Sequence, residues 1–217
     1  RFLCRLFRDA LAPPPLYTSY PHPNYPTLNG FLDKLNHVFK EEPTKAPKIV
    51  FVMKGTFACF FEKSTTRKLI IKYPMTIIGA GQNQTFLSGC SLYIEGLKEE
   101  GKRVVLKDMT TSSQGAGFLH GLFSNGLSFL CTRMTFSQCG GHGVFARNTK
   151  GRLINCVVAQ CEYSGIRCYK NALIELEGSQ TKVHGNGTSG NSLGYCGLMT
   201  FDTSSIIHLL FPLTKES

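Results

Sequence analysis

Residues 153–166 read LINCVVAQCEYSGI, and a related pattern stands 22 residues earlier in the chain. At this offset Gln138-Cys139 corresponds to Gln160-Cys161, and Gly143-Val144 corresponds to Gly165-Ile166. Apolar, small and turn-forming residues therefore recur at a fixed period. A period of this length predicts a solenoid, in which the chain winds into stacked coils of one repeat each.

Further matches extend the repeat in both directions. Asn125, Asn148 and Asn171 recur at an equal spacing, one position longer than that offset, which predicts a ladder of asparagines in one turn of successive coils. Gly117-Phe118 precedes Gly143-Val144 by a slightly longer interval, so we align the two pairs. After an insertion of about ten residues, the pattern resumes near residue 197.

The apolar segments after residue 48 are short and are separated by turn residues, which is typical of strands. Leucine-rich repeats have a similar period, but their L-x-x-L-x-L-x-x-N frame is missing here. We therefore predict an all-β fold, a right-handed parallel β-helix solenoid of about seven coils over residues 48–217. Equivalent residues of adjacent coils lie about 4.8 Å apart, so we expect Cys139 and Cys161 to stack.

Two segments precede the predicted solenoid. Residues 1–27 are rich in proline, which has no amide hydrogen to donate, so we expect an extended linker there. Residues 28–47 begin with apolar side chains spaced three and four apart, which predicts an amphipathic helix followed by a lead-in. We expect this helix to cap the apolar N-terminal end of the solenoid, with a partner-binding helix as the alternative. The sequence begins with Arg1, so we expect it to be part of a longer protein.

The charge and the cysteines bear on partners and compartment. The net charge is +10, and a basic surface attracts anionic partners such as acidic glycans, although a Lys-rich solvated surface has the same composition. Nine cysteines, mostly in apolar contexts, favour buried free thiols and an intracellular protein. Sequons at Asn83 and Asn186 favour the secretory route, so the compartment stays open. We expect no membrane span, because the chain lacks a long apolar run.

Two motifs point to a family. Residues 73–81 read YPMTIIGAG, which looks like the first-coil signature P-x-T-I-I-G-x-G, and residues 153–166 look like the coil consensus i-x-N-C-x-i-x-x-C-x-x-x-G-I. Residues 48–210 thus resemble the pectin-lyase-like right-handed β-helix superfamily. The resemblance implies the fold. The superfamily includes polysaccharide lyases and hydrolases, phage tailspikes and non-catalytic modules, so it implies no single activity.

Carboxylates suited to catalysis are scarce. Hydrolysis of a glycosidic bond needs two carboxyl groups beside the bond, and Glu175 and Glu177, two apart on one predicted strand, form the best pair. A solvated strand face is the simpler interpretation. In the repeat frame Asp108, Arg133, Asn155 and Glu177 form one outward column, which suits either a polar ligand or a ladder of surface charges but has too few carboxylates for calcium. We expect His120 and His142 to be turn or core residues. We predict no catalytic residue, metal site or cofactor.

A basic patch is the remaining candidate for a site. It consists of Arg147, Lys150, Arg152, Arg167 and Lys170, with Tyr163 and Tyr169 nearby. Such a patch suits a sulfated or carboxylated glycan or a phosphate, although a basic edge that blocks strand pairing explains it equally well. We predict a non-catalytic module that binds a protein or an acidic glycan on its lateral face. The alternatives are a divergent polysaccharide lyase or glycoside hydrolase, and a structural spacer. We expect no nucleic-acid partner.

Overall fold

The computed structural model describes residues 16–58, 67–114, 117–189 and 194–213. This part of the chain is mostly β-strand and contains a single α-helix, α1 (Leu28–Glu41). All the strand ladders found in it are parallel. The predicted preponderance of parallel β-structure is therefore confirmed.

The strands of the described residues form two sheets. The first sheet consists of β1 (Tyr17–Tyr20), β2 (Ile49–Val52), β3 (Gly55–Ala58), β5 (Thr76–Gly79), β6 (Thr85–Ser88), β8 (Arg103–Ser112), β10 (Ser128–Ser137), β12 (Lys150–Ile154), β13 (Val157–Ala159), β15 (Leu173–Glu177), β16 (Lys182–His184) and β18 (Ile206–Leu209). The second sheet consists of β4 (Lys68–Ile71), β7 (Ser91–Gly96), β9 (Leu122–Gly126), β11 (Val144–Arg147), β14 (Ile166–Tyr169) and β17 (Leu198–Thr200).

Strands of the two sheets alternate along the chain, and the core lies between them. From β7 onwards, each segment of the first sheet is followed by one strand of the second sheet. Inward residues such as Leu122, Val144 and Ile166 are fully buried and belong to one continuous apolar cluster with those of the first sheet. Parallel strands need a crossover connection, and here the strands of the opposite sheet provide it. This arrangement is compatible with the predicted β-helix.

The register of the second sheet is constant over its central strands, and a column of glycines shows why it is fixed. Val144 pairs with Leu122 on one side and with Ile166 on the other. The preceding glycines of the three strands are Gly121, Gly143 and Gly165. A Cβ atom on any of them would lie 2.7 Å from the carbonyl oxygen of the glycine in the next strand. Larger residues would therefore push the strands apart.

This register corrects two alignments made from the sequence. Gly121, and not Gly117, corresponds to Gly143, because Leu122 pairs with Val144. The predicted asparagine ladder is wrong for Asn125, which pairs with Arg147 and not with Asn148. Lys150 pairs with Leu173 at the same spacing that separates Asn148 from Asn171, so these two asparagines are in register with the strands that follow them.

The predicted stack of Cys139 and Cys161 agrees with the structure. Ser137 pairs with Ala159, so the two cysteines occupy equivalent positions, and both are fully buried. The neighbouring Cys161 thiol and burial raise the pKa of the Cys139 thiol. In the turn between the two sheets, these thiols act as small apolar side chains.

The helix α1 lies against β4, the edge strand of the second sheet. Thr27 caps its N-terminus by accepting a hydrogen bond from the Gly30 amide at 3.3 Å. The Asn36 side chain donates to the Ile70 carbonyl at 2.8 Å and accepts from the Lys72 amide at 3.0 Å. The helix thus satisfies polar groups that an edge strand would leave open. Its apolar residues Leu28, Phe31, Leu32 and Leu35 are buried, as the spacing predicts.

The expected linker over residues 1–27 differs from the structure at its C-terminal end; residues 1–15 lie outside the described residues. Tyr17–Tyr20 forms β1 and pairs with Ile49–Val52. Tyr20 is buried, packs on Phe31 with ring centroids 5.6 Å apart, and donates to the Pro26 carbonyl at 3.0 Å. Proline content indicated an extended backbone, and this backbone is extended, but it is held in the first sheet.

Candidate functional site

The outward residues of the second sheet form an aromatic surface. Phe145 pairs with Phe123 on one side and with Arg167 on the other, and Tyr93 pairs with Phe123. The Phe123 ring lies 4.9 Å from Tyr93 and 5.3 Å from Phe145, between centroids. Because alternate residues of a strand face outward, a constant register repeats an aromatic side chain from coil to coil.

Basic side chains lie on these rings. The Arg167 guanidinium is 5.1 Å from the centre of the Phe145 ring and 4.5 Å from that of Phe201, which is 56% exposed. Arg147 lies 6.0 Å and the Lys170 ammonium 5.4 Å from the Tyr169 ring. Cations over aromatic faces are attracted by the negative potential of the ring.

We call this surface the aromatic–cationic face. Its members are Tyr93, Phe123, Phe145, Arg147, Arg167, Tyr169, Lys170 and Phe201. Asp202 lies beside it, and its carboxylate accepts hydrogen bonds from the Lys170 amide at 2.5 Å and from the Ser204 hydroxyl at 2.8 Å. These hydrogen bonds lower the pKa of Asp202 to about 2. The Asp202 carboxylate therefore binds the backbone of the turn.

A ladder of turn residues borders this face where the strands of the second sheet begin. The His142 amide donates to Nδ1 of His120 at 3.0 Å, and the Ser164 amide donates to Nδ1 of His142 at 3.1 Å. The Cys196 amide then donates to Oγ of Ser164 at 3.4 Å. At each level, a side chain accepts the backbone amide of the equivalent residue before the next strand of the second sheet. The ladder satisfies amides that would otherwise be buried without a partner.

The two histidines of the ladder are stacked, buried and neutral. Their ring centroids are 5.3 Å apart, and they are 6% and 1% exposed. Burial, with the positive charge of Arg167, lowers the pKa of His120 to about 4. Burial, the neighbouring His120 ring and Arg167 lower the pKa of His142 to about 3. The prediction of turn or core histidines agrees with this placement.

Two tyrosines extend the border of the face. The ring centroids of Tyr163 and Tyr195 lie 4.3 Å apart, and they lie 5.6 and 5.9 Å from that of His142. Phe118, which is 61% exposed, packs on Tyr163 at 4.7 Å. Tyrosine rings of this kind combine an apolar surface with a polar tip.

Arg167 has an unsatisfied buried donor on this face. Its Nη1 atom lies 3.1 Å from Nε2 of His142, and its Nε atom is buried without a hydrogen-bond partner. Within the part of the chain that the structure describes, it forms no ion pair with a carboxylate. A guanidinium that is partly buried and lacks an acceptor is costly unless a ligand supplies one.

The predicted outward column is correct for three of its four members. Asp108, Arg133 and Asn155 are in register, and all three have a left-handed backbone, with φ of 59°, 50° and 53°. Arg133 forms a two-point ion pair with Asp108 at 2.6 and 2.8 Å. Glu177 does not belong to this column, because it pairs with Ile154, and Gly178 takes the fourth position. The column is a bend in the first sheet, where each strand turns through the left-handed region.

The predicted basic patch is divided between the two sheets. Arg147, Arg167 and Lys170 lie on or beside the second sheet, whereas Lys150 and Arg152 lie on β12 of the first sheet. The sequence repeat places these residues close along the chain but does not reveal which strand joins which sheet.

Arg152 is neutralised by carboxylates. Its Nη2 atom lies 2.5 Å from Glu177, and its Nε atom lies 3.9 Å from Glu175. The best carboxylate pair in the sequence therefore serves as the counter-charge of an arginine. The outer surface of the first sheet thus pairs its charges here and at Asp108–Arg133.

Of the aromatic members of the face, Tyr169 was predicted to lie near the basic patch, whereas Tyr93, Phe123, Phe145 and Phe201 were not predicted. A signal for two of them exists in the sequence. Phe123, Phe145 and Arg167 are separated by 22 residues each, and so are His120, His142 and Ser164. This is the offset that aligns Gln138-Cys139 with Gln160-Cys161, so it aligns both sets as well.

A comparison with protein-family models, curated proteins and solved structures found no match to this chain. Among the described residues, no three histidine, cysteine, aspartate or glutamate side chains come together in a way that suits a metal ion. The described part of the chain holds no helix that is long and apolar enough to span a membrane.

Proposed function

We propose that the chain is a right-handed parallel β-helix of about seven coils, of the pectin-lyase-like type, and that it is a non-catalytic module that binds an acidic glycan on the aromatic–cationic face. We assign the right-handed form because crossover connections between parallel strands are almost always right-handed. The single observation that carries the binding proposal is a row of aromatic rings with four basic side chains on it, Lys68 on Tyr93 being the fourth, and no carboxylate in ion-pair contact with them among the described residues.

The composition of the face favours a glycan that carries carboxylate or sulfate groups. Guanidinium groups bind such oxyanions through parallel hydrogen bonds, and flat aromatic rings offer apolar contact to the faces of sugar rings. Phe201 and Phe118 are largely exposed, so they are accessible to a ligand of this size. The first sheet is the weaker candidate because Arg133 and Arg152 are already paired with carboxylates.

Binding without cleavage is proposed because the carboxylates are engaged elsewhere. Hydrolysis of a glycosidic bond requires one protonated and one ionised carboxyl group on either side of it. Glu175 and Glu177 both face Arg152 instead, and Asp202 accepts the Lys170 amide. The polysaccharide lyase or hydrolase that the resemblance also allows receives no comparable support.

Calorimetric titration with acidic and neutral oligosaccharides tests the proposal. A sulfated and a uronate-containing oligosaccharide, each with its uncharged counterpart, are titrated into the intact chain. We expect the acidic member of at least one pair to bind, and Phe201→Ala to weaken that binding about tenfold by removing stacking contact. Phe86→Ala is the matched control, because Phe86 is a half-exposed phenylalanine on the first sheet and its loss leaves binding unchanged.

Three results would overturn the proposal. The first is the absence of binding to every acidic oligosaccharide, and the second is an equal loss of binding in Phe86→Ala and Phe201→Ala. The third is the appearance of new reducing ends or unsaturated products during incubation with the ligand, which would make the chain an enzyme.

A further inference from the structure

Two hydrogen-bond donors face each other on the aromatic–cationic face. Nδ1 of His142 accepts the Ser164 amide, and a backbone amide can only donate. A neutral imidazole carries one proton, so in His142 that proton is on Nε2. Nε2–H faces Nη1 of Arg167, another obligate donor, at 3.1 Å. The Nε atom of the same guanidinium is also buried without an acceptor.

The equivalent bond one coil earlier strengthens this tautomer assignment. The His142 amide donates to Nδ1 of His120 in the same way, and Ser164 accepts the Cys196 amide with its hydroxyl. The ladder therefore needs a side-chain acceptor at each of these three positions. If the His142 ring were flipped so that Nε2 accepted the Ser164 amide, His142 would no longer accept through the same atom as His120.

We infer that Arg167 and the Nε2–H of His142 form a subsite for one oxyanion, a carboxylate or a sulfate group of the bound acidic glycan. This inference rests on the proposed function. An oxyanion has several lone pairs, so it accepts from both donors at once and removes the contact between two groups that both donate. The Phe145 and Phe201 rings flank the guanidinium, and Tyr163 and Tyr195 flank His142.

The charge of the surroundings fits an anion. Arg167 has no carboxylate in ion-pair contact among the described residues. His142 is almost fully buried, so its ring is held by packing and its donor keeps a fixed direction. A donor that is already oriented loses little conformational entropy when it binds. A water molecule can accept both hydrogen bonds but does not offset the charge of Arg167, whereas an oxyanion does both.

Nitrogen-15 NMR of the intact, labelled chain tests the inference. Correlations from the carbon-bound ring protons report which nitrogen of His142 carries the proton. Sodium sulfate and sodium glucuronate are added in separate titrations, each against sodium chloride at the same ionic strength. We expect the Nε2–H tautomer and a saturable shift of the Nε2 signal with sulfate or glucuronate but not with chloride. The effective anion distinguishes a sulfate-ester ligand from a uronate ligand.

Variants distinguish specific binding of the anion at Arg167 from a general effect of positive charge on the His142 signal. Arg167→Gln is expected to abolish the saturable shift, and Arg167→Lys to weaken it at least tenfold, because lysine keeps the charge but lacks the planar pair of donors. Arg133→Gln is the control, since it removes one positive charge from the first sheet and leaves the shift unchanged. A proton found on Nδ1, or a linear response to both anions equal to that of chloride, would overturn the subsite.

The subsite and the proposed function fail in different ways. If an acidic oligosaccharide binds and Phe201→Ala weakens it but Arg167→Gln does not, the subsite is wrong and the binding face stands. If sulfate or glucuronate saturates the His142 signal and no oligosaccharide binds, the subsite stands and the glycan proposal is wrong.

Discussion

The histidine ladder makes the stability of the fold depend on pH between neutrality and pH 5. His120 and His142 have a pKa of about 4 and about 3 in the folded chain, against 6.5 for an exposed histidine. Well above pH 6.5 both rings are neutral in the folded and the unfolded chain. As the pH falls below 6.5, the unfolded chain takes up protons that the folded chain does not, so the unfolded state is favoured.

The size of this loss in the free energy of unfolding follows from the difference between pH 5 and the histidine pKa in the unfolded chain. One pKa unit corresponds to about 1.4 kcal/mol, so each ring lowers the free energy of unfolding by about 2 kcal/mol at pH 5, and the pair by about 4 kcal/mol. The loss continues towards pH 4 and ends below the folded pKa values. Such a change is a large fraction of the stability of a typical domain.

Urea unfolding at pH 7 and pH 5 measures this loss. The intact chain is compared with His120→Ser, His142→Ser and the double variant, because serine already performs the same role at Ser164. Loss of the rings lowers the free energy of unfolding at both pH values. The relevant quantity is therefore the free energy of unfolding at pH 7 minus that at pH 5. We expect this difference to fall by about 2 kcal/mol in each single variant and about 4 kcal/mol in the double variant.

Equal pH dependence in the intact chain and in the double variant would refute the reasoning. A second measurement does not depend on the variants folding. If the ring signals of both histidines in the folded chain titrate near pH 6.5, the rings are not held neutral by burial, and the ladder as described is wrong.

Two further predictions concern packing and surface charge. Gly143→Ala is expected to lower the free energy of unfolding by about 1–3 kcal/mol in urea titrations, because its Cβ would lie 2.3 Å from Val158 Cγ1 and 2.7 Å from the Gly165 carbonyl oxygen. Gly197→Ala is the control at the end of the same glycine column, where the added Cβ would meet no atom closer than 3.6 Å. It should change the free energy of unfolding by less than about 0.5 kcal/mol, and an equal loss in Gly143→Ala and Gly197→Ala would contradict the argument from close approach. Arg133→Gln is expected to cost less than about 1 kcal/mol, since its ion pair with Asp108 is exposed to solvent, and a loss of several kcal/mol at moderate salt would show that the bend depends on this pair.

The parallel β-structure could be predicted because its inward residues are constrained by contact. Cys139 and Cys161 occupy equivalent, fully buried positions, and Gly121, Gly143 and Gly165 leave no room for a side chain beside the carbonyl group of the next strand. Such constraints act on each strand of the ladder and leave a visible spacing in the sequence. The helix over residues 28–41 was predictable for the same reason, since one face of it is buried.

The register could not be read to the residue where loops differ in length. Glu177 and Asn125 were each placed one position away from their true partners, because apolar and turn residues tolerate several alignments. The assignment of Arg147 and Arg152 to different sheets depends on where each coil turns, which a period alone does not give. Asn186 shows a similar limit: its sequon suggests glycosylation, yet its side chain accepts from the Cys161 amide and donates to the Val158 carbonyl, both at 3.0 Å.

Hydroxyl-radical footprinting with a bound acidic oligosaccharide tests most directly whether the aromatic–cationic face is the binding face. Exposed aromatic residues on both sheets react with the radical, so the two faces are compared in one sample. We predict that the ligand protects Phe201 and Tyr169 on the second sheet and leaves Phe86 and Phe51 on the first sheet unchanged. Protection of Phe86 and Phe51 with Phe201 still reactive would contradict the account.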